Sequence, residues 1–133
     1  AASSFASGIL REPLNGIAAN CPVAPATPLW LMSPRRAVEA LVRAAELPAG
    51  DLDGEAVITL PGLSATPAEM VAALERASGP EVAARVSWRR DPAIEAIVAT
   101  WPGAFAATRA LGLGFRADED IDSIIRAYME DDL

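Results

Sequence analysis

The chain has 133 residues, a formal net charge of −7 and 52% hydrophobic residues, which suits one domain with an apolar core. The acidic balance argues against a nucleic-acid partner, because such proteins carry a basic surface. No stretch of these residues is long and apolar enough to span a bilayer, so we expect a cytoplasmic protein.

The residue types that are missing limit the possible chemistry. The sequence has no His and no Lys, and all 11 basic residues are Arg. The commonest general base, the commonest neutral metal ligand and any lysine Schiff base are therefore absent, and we predict no metal site and no serine nucleophile. The lone Cys21 cannot form an internal disulfide, which favours a reducing compartment.

The first element is predicted to be a helix that ends near Pro13. Phe5, Ile9 and Leu10 recur at helical spacing, and Asn15-Gly16 follows as a turn. Because a compact domain rarely begins inside a helix, we interpret the start as a cut end. Residues 17–27 are interrupted by proline and are predicted to be extended.

A strand followed by a helix forms the central predicted unit. Residues 29–31 are strand-like, Ser33 suits the N-cap, and Pro34 suits the first helical position. The helix carries an apolar stripe at Ala37, Val38, Leu41, Val42 and Ala45.

Two cations lie in the first turn of this helix, where the helix dipole disfavours them. Arg35 and Arg36 make sense there if an anion docks beside the free N–H groups. The alternative is that both point into solvent, with Arg35 paired to Glu39 one turn later.

A second strand and helix follow. Residues 56–60 form a continuous apolar run, typical of a strand buried on both faces, and Thr66-Pro67-Ala68-Glu69 spells a capping box for a helix to about residue 77. Two successive strand–helix units predict an α/β fold with parallel pairing.

The remaining residues predict one more strand and three helices. The strand covers 82–88, and the helices begin at Asp91-Pro92, at residue 104 with Gly112 as the C-terminal cap, and at Asp118 or Asp120. The acidic run 118–122 fails the calcium-loop pattern and is interpreted as a helix start, while the acids at 130–132 are expected to form a solvated tail.

Four stretches carry a family resemblance: SSFASGILREPLNG, CPVAPATPLWLMSPRRAVEALVRAAEL, VITLPGLSATPAEMVAAL and WPGAFAATRALGLGFRADEDIDSIIRAYMED. Together they resemble the closing part of extended short-chain dehydrogenases, the NAD-dependent epimerase/dehydratase family. Within that family they are most similar to the D-erythronate dehydrogenase-like group. The resemblance covers nearly the whole chain and keeps the order of the family.

The resemblance implies a partial α/β fold, namely the C-terminal substrate-side segment with helices and a few short, mostly parallel strands. The glycine-rich cofactor loop, the catalytic Ser/Thr and the Tyr-x-x-x-Lys pair of the family lie in a Rossmann half that this chain lacks. The intact enzyme would use NAD(P), whereas this chain alone would bind no cofactor and be inactive. The family's Rossmann domain would cover the central helix and the strand at 57–60.

The resemblance further implies binding of a small hydroxy acid by Ser3, Ser4, Arg11, Trp30, Arg35 and Arg36. Nucleotide-sugar members often have an Arg-Asp pair where this chain has Pro28-Leu29 before Trp30, and this departure favours a small sugar acid or polyol acid. The alternative is a non-catalytic interaction module that self-associates through uncovered apolar faces. In either case a homo-oligomer is possible.

Overall fold

The computed structural model describes residues 4–133, which form an α/β fold of seven α-helices, one 3-10 turn and four short strands. The helices are α1 (Ser4–Leu14), α2 (Pro34–Glu46), α3 (Pro67–Ser78), α4 (Pro80–Ala83), α5 (Pro92–Val98), α6 (Thr108–Gly112) and α7 (Ile121–Asp131). The strands are β1 (Ala19–Asn20), β2 (Leu29–Leu31), β3 (Leu63–Ala65) and β4 (Val86–Ser87), and the 3-10 turn covers Ala49–Leu52.

The strands form two separate pairs of opposite sense. β1 pairs with β4 in parallel, whereas β2 pairs with β3 in antiparallel, with Leu29 opposite Ala65. The predicted parallel pairing of the two strand–helix units is therefore wrong. The second strand is β3 rather than residues 56–60, because that apolar run pairs with no strand among residues 4–133 and leaves Val57 77% exposed.

The central helix α2 begins as predicted, but its apolar stripe faces outwards. Ser33 Oγ accepts a hydrogen bond from the Arg36 N–H at 3.2 Å, and Pro34 is the first helical residue. Val38, Leu41 and Val42 are 60%, 72% and 55% exposed. The described part of the chain instead packs against the opposite side of α2, where Ala40 contacts the cluster containing Ala110 and Phe115.

Most helix caps match the sequence prediction. The capping box of α3 joins Thr66 and Glu69, Asp91 caps α5, and Asp120 rather than Asp118 caps α7. Two boundaries are wrong. Residues 80–83 form helix α4, so the strand predicted over 82–88 shrinks to β4; and α6 starts only at Thr108, with Gly112 as its last residue and not its cap.

The main core lies between α1, α3 and α7. Its largest fully buried side chains include Ile9, Val23, Met70, Leu74 and Ile125. Since α1 and α7 both pack on α3, the space between them is bounded by apolar side chains. None of the helices within residues 4–133 combines the length and apolar character that crossing a bilayer requires.

Candidate functional site

A cleft of about 310 Å³ opens between α1, β2 and α7. Its floor is apolar and includes Leu10, Leu31, Met70 and Ile125, which belong to the main core or pack against it. Three groups give it a polar rim, namely Ser7, Arg11 and Tyr128. The cleft therefore combines an apolar surface with a few polar groups, as small-molecule sites commonly do.

Arg11 is the one charged side chain that lines this cleft among residues 4–133. Ser7 and Arg11 are four residues apart on α1, so both project from the same face of the helix as Leu14. No described side chain or carbonyl of residues 4–133 forms a hydrogen bond or ion pair with the Arg11 guanidinium. The cleft thus carries a cation whose charge the described chain leaves uncompensated.

Tyr128 and Asn15 join the two helices that border the cleft. The Asn15 side-chain Nδ2 donates to the Tyr128 hydroxyl at 2.7 Å and to the Arg11 backbone carbonyl at 2.9 Å. Neither residue was predicted as a site residue from the sequence, because Asn15 fits an ordinary turn and Tyr128 fits an apolar helix face. The available signal was that Tyr128 is the chain's single tyrosine and lies on a face rich in isoleucine.

Trp30 forms a rigid wall of the cleft. Its ring meets Phe105 edge-on, with centroids 5.6 Å apart. Gly62 packs so close that a Cβ there would lie 2.7 Å from the Trp30 ring, so a larger residue would displace the indole. The predicted site residue Trp30 is therefore restricted by its contacts with Phe105 and Gly62.

Three of the remaining predicted site residues, Ser4, Arg35 and Arg36, do not line this cleft. Ser4 is exposed at the start of α1, and Ser3 lies outside the described residues. Arg36 pairs with Glu39 at 2.5 Å and lines a separate cleft with Arg43 and Arg116. Of the six residues, the structure brings Arg11 and Trp30 together in the cleft between α1, β2 and α7.

Arg35 is engaged by the C-terminal acids. Its guanidinium donates to Asp131 at 2.7 and 2.9 Å and to Glu130 at 2.9 Å. These bonds raise the pKa of Arg35, and the Arg35 bonds hold the pKa of Asp131 below its usual value. The alternative pairing of Arg35 with Glu39 is wrong, and Glu130 and Asp131 are not a free tail, because α7 ends beside the first turn of α2.

Comparison with known proteins identifies relatives of this architecture. The chain is 61% identical over 131 residues to the D-erythronate dehydrogenase of Cupriavidus necator, covering 98% of this chain and 40% of that protein. It is 39% identical over 133 residues to the D-erythronate dehydrogenase of Haemophilus influenzae, covering all of this chain and 42% of that protein. The resemblance to extended short-chain dehydrogenases is confirmed.

Solved structures share this architecture. A nucleoside-diphosphate-sugar epimerase from Agrobacterium tumefaciens superimposes with a TM-score of 0.95 at 36% identity, covering 99% of this chain and 39% of that one. An L-threonine dehydrogenase from Cupriavidus necator shares the fold, with a TM-score of 0.81 at 21% identity over 98% of this chain and 41% of that one. No protein-family model matches.

The chain spans about two fifths of the length of these short-chain dehydrogenase relatives. This share is consistent with the expectation of a partial, C-terminal segment. The relatives are longer than the part described here, so the cleft is described only from the residues that this chain contributes.

A buried carboxylate fixes the start of α2. Asp118 accepts hydrogen bonds from the Ser33 backbone N–H at 2.8 Å and from Ser33 Oγ at 2.7 Å. Both residues are buried, and the carboxylate lies at the positive end of the helix dipole. Asp118 thus supplies an anion at this helix start and holds α2 next to the strand that carries Trp30, while a substrate anion at Arg35 or Arg36 stays a prediction.

Proposed function

We propose that this chain is the substrate-binding portion of an NAD(P)-dependent oxidoreductase that acts on a small sugar acid or polyol acid. The observation that carries the proposal is the 61% identity to a D-erythronate dehydrogenase over 98% of the chain. In the intact enzyme the nicotinamide would accept a hydride from a substrate carbon. The cofactor loop and the Tyr–Lys pair belong to the remainder of the enzyme, and this chain supplies shape and carboxylate recognition.

The arrangement of the cleft favours Arg11 as the carboxylate-binding residue. Arg35 is already neutralised by Glu130 and Asp131, and Arg36 is paired with Glu39. Arg11 offers a planar donor fork that matches a carboxylate, beside an apolar floor and the Trp30 ring that face the carbon chain. Ser3, Ser4, Arg35 and Arg36 stay predictions that the intact enzyme can test.

The size and charge of the cleft favour a small acid over a nucleotide sugar. A volume of about 310 Å³ suits a four-carbon acid, and one lining cation among residues 4–133 matches one carboxylate. A nucleoside diphosphate carries more negative charge than a single carboxylate, and its binding would require several hydrogen-bond donors. The sequence supports a small acid as well, because Pro28-Leu29 stand where nucleotide-sugar members of the family often have an Arg-Asp pair.

A titration of the chain tests this proposal. The probes are sodium D-erythronate and its uncharged amide, followed by amide chemical shifts in NMR spectra. Because a hydrogen bond to a charged group contributes about 1.5–3 kcal/mol, Arg11→Ala should weaken erythronate binding by about 10- to 100-fold and leave amide binding nearly unchanged. The matched control is Arg116→Ala, an exposed arginine that does not line this cleft.

Two outcomes of that titration contradict the proposal. The first is an equal loss of affinity for the acid and the amide, which would indicate that Arg11 acts through packing. The second is unchanged erythronate affinity in Arg11→Ala, which would place the carboxylate elsewhere.

We also propose that the remaining part of the enzyme, its Rossmann domain, covers the exposed face of α2 and the run at 56–60. Val38, Leu41 and Val57 are large apolar side chains that a compact protein normally buries. The same exposed face favours the second candidate, a non-catalytic module that self-associates, and a homo-oligomer of the intact enzyme remains possible.

We propose the cytoplasm as the location of this protein. Cys21 is buried and forms no disulfide, and burial raises the pKa of its thiol, in keeping with a reducing compartment.

A further inference from the structure

The Asn15 side chain determines which way the hydrogen bond to Tyr128 runs. Its Nδ2 lies 2.9 Å from the Arg11 backbone carbonyl and 2.7 Å from the Tyr128 hydroxyl. A carbonyl oxygen can only accept, so the amide must present its NH₂ group on this side. The same NH₂ group therefore donates its second hydrogen to Tyr128, whose oxygen is the acceptor.

This polarity leaves the hydroxyl hydrogen of Tyr128 uncommitted. No acceptor for it is found among residues 4–133. The phenol lines the cleft between α1, β2 and α7, on the helix opposite Arg11. The cleft thus holds a neutral donor on α7 and a cationic donor on α1, tied together through Asn15.

We infer that Tyr128 determines substrate specificity by donating a hydrogen bond to a hydroxyl oxygen of the bound acid, an inference that rests on the proposed function. Arg11 takes the carboxylate, while Tyr128 distinguishes a hydroxylated carbon chain from a plain alkyl chain. Without the Tyr128 hydrogen bond, the apolar floor of the cleft would bind an unsubstituted fatty acid as readily as a hydroxylated acid. Tyr128 orients and selects the acid, and it takes no part in hydride transfer.

The experiment compares two acids of equal length and charge, D-erythronate and butanoate, by NMR titration of the full chain. The wild-type chain should prefer erythronate. Loss of one neutral hydrogen bond changes affinity by about fivefold, so Tyr128→Phe should lower the erythronate/butanoate preference by about that factor and leave butanoate affinity unchanged.

A second variant keeps the tyrosine and reverses the polarity. In Asn15→Asp the introduced carboxylate is an acceptor, so it takes the Tyr128 hydroxyl hydrogen and withdraws it from the ligand. Its negative charge weakens the binding of both acids alike, so the ratio of affinities isolates the hydrogen bond. The preference should fall about as far as in Tyr128→Phe, with circular dichroism checking that the fold is retained.

The outcomes separate the inference from the proposed function. If the wild-type chain binds neither acid, both are overturned. If erythronate binds in an Arg11-dependent way but Tyr128→Phe keeps the preference, or weakens both acids equally, the inference alone is overturned and Tyr128 has a structural role.

Discussion

Asp118 is a buried carboxylate that accepts hydrogen bonds from both the backbone N–H and the hydroxyl of Ser33. Its partner lies 85 positions away in the chain, so the acidic run at 118–122 gave no sign of it. Local chemistry predicted that acids gather where α7 begins, and Asp120 does cap that helix. A contact at this sequence separation depends on how α2 and α7 pack, which no local pattern encodes.

Asp118→Ala should destabilise the chain. The substitution leaves the buried Ser33 N–H and hydroxyl without their acceptor, at a cost of about 1–3 kcal/mol in the free energy of unfolding. Asp118→Asn keeps one acceptor oxygen and should cost less. Urea denaturation measures both, with Asp132→Ala in the exposed C-terminal end as the control. A value for Asp118→Ala within about 0.5 kcal/mol of the control would show that the pair is unimportant.

At the scale of elements, capped helix starts and the strand at residues 29–31 were predictable, whereas the strand predicted at 56–60 was wrong. Ser33, Thr66 and Asp91 all cap the helices that the sequence assigned to them, because capping depends on three or four adjacent residues. The apolar run at 56–60 has strand composition but depends on a neighbouring strand. In this chain the segment is held instead by Arg109, which donates to the backbone carbonyls of Leu52, Glu55 and Val57.

The capping box of α3 should make stability depend on acid pH. Hydrogen bonds from Thr66 to the Glu69 carboxylate lower the pKa of Glu69 below its ordinary value of 4.5. The folded pKa lies below the unfolded one, so this stabilisation is complete above the unfolded value and is lost as the pH falls through the folded pKa.

The test compares thermal unfolding of the wild-type chain and Glu69→Gln between pH 7 and pH 3. Wild type should be more stable at neutral pH, and the gap should close below about pH 4.5. Glu75→Gln, an exposed position in the same helix outside the box, should show no such convergence. A gap that stays constant across the range would rule out the carboxylate as its source.

At the scale of the whole molecule, the exposed apolar face of α2 should drive association of the isolated chain. Val38, Leu41 and Val42 lie on one side of the helix, and each is more than half exposed. Leu41→Lys should lower the association seen by light scattering over a dilution series. Ala72→Lys adds the same charge at an exposed position on α3 and should have no effect. A wild-type chain that is monomeric at high concentration would contradict this expectation.

The family resemblance was visible in the sequence, whereas the site was visible only in part. The resemblance rests on contiguous stretches such as CPVAPATPLWLMSPRRAVEALVRAAEL, which can be read directly from the sequence. The cleft, in contrast, combines Arg11 from α1, Trp30 from β2 and Tyr128 from α7. Arg35 and Arg36 were predicted as anion-binding residues because they lie at a helix start. The structure pairs Arg35 with Glu130 and Asp131 of α7, and these long-range contacts could not be predicted from the local sequence.

A chimeric enzyme tests the central claim most directly. This chain would replace the matching 131-residue segment of the Cupriavidus necator D-erythronate dehydrogenase, to which it is 61% identical. We expect the chimera to reduce NAD with D-erythronate, and we expect Arg11→Ala in it to raise the KM for D-erythronate by about tenfold or more while NAD binding is retained. A chimera that folds and binds NAD but does not oxidise D-erythronate would overturn the proposed function.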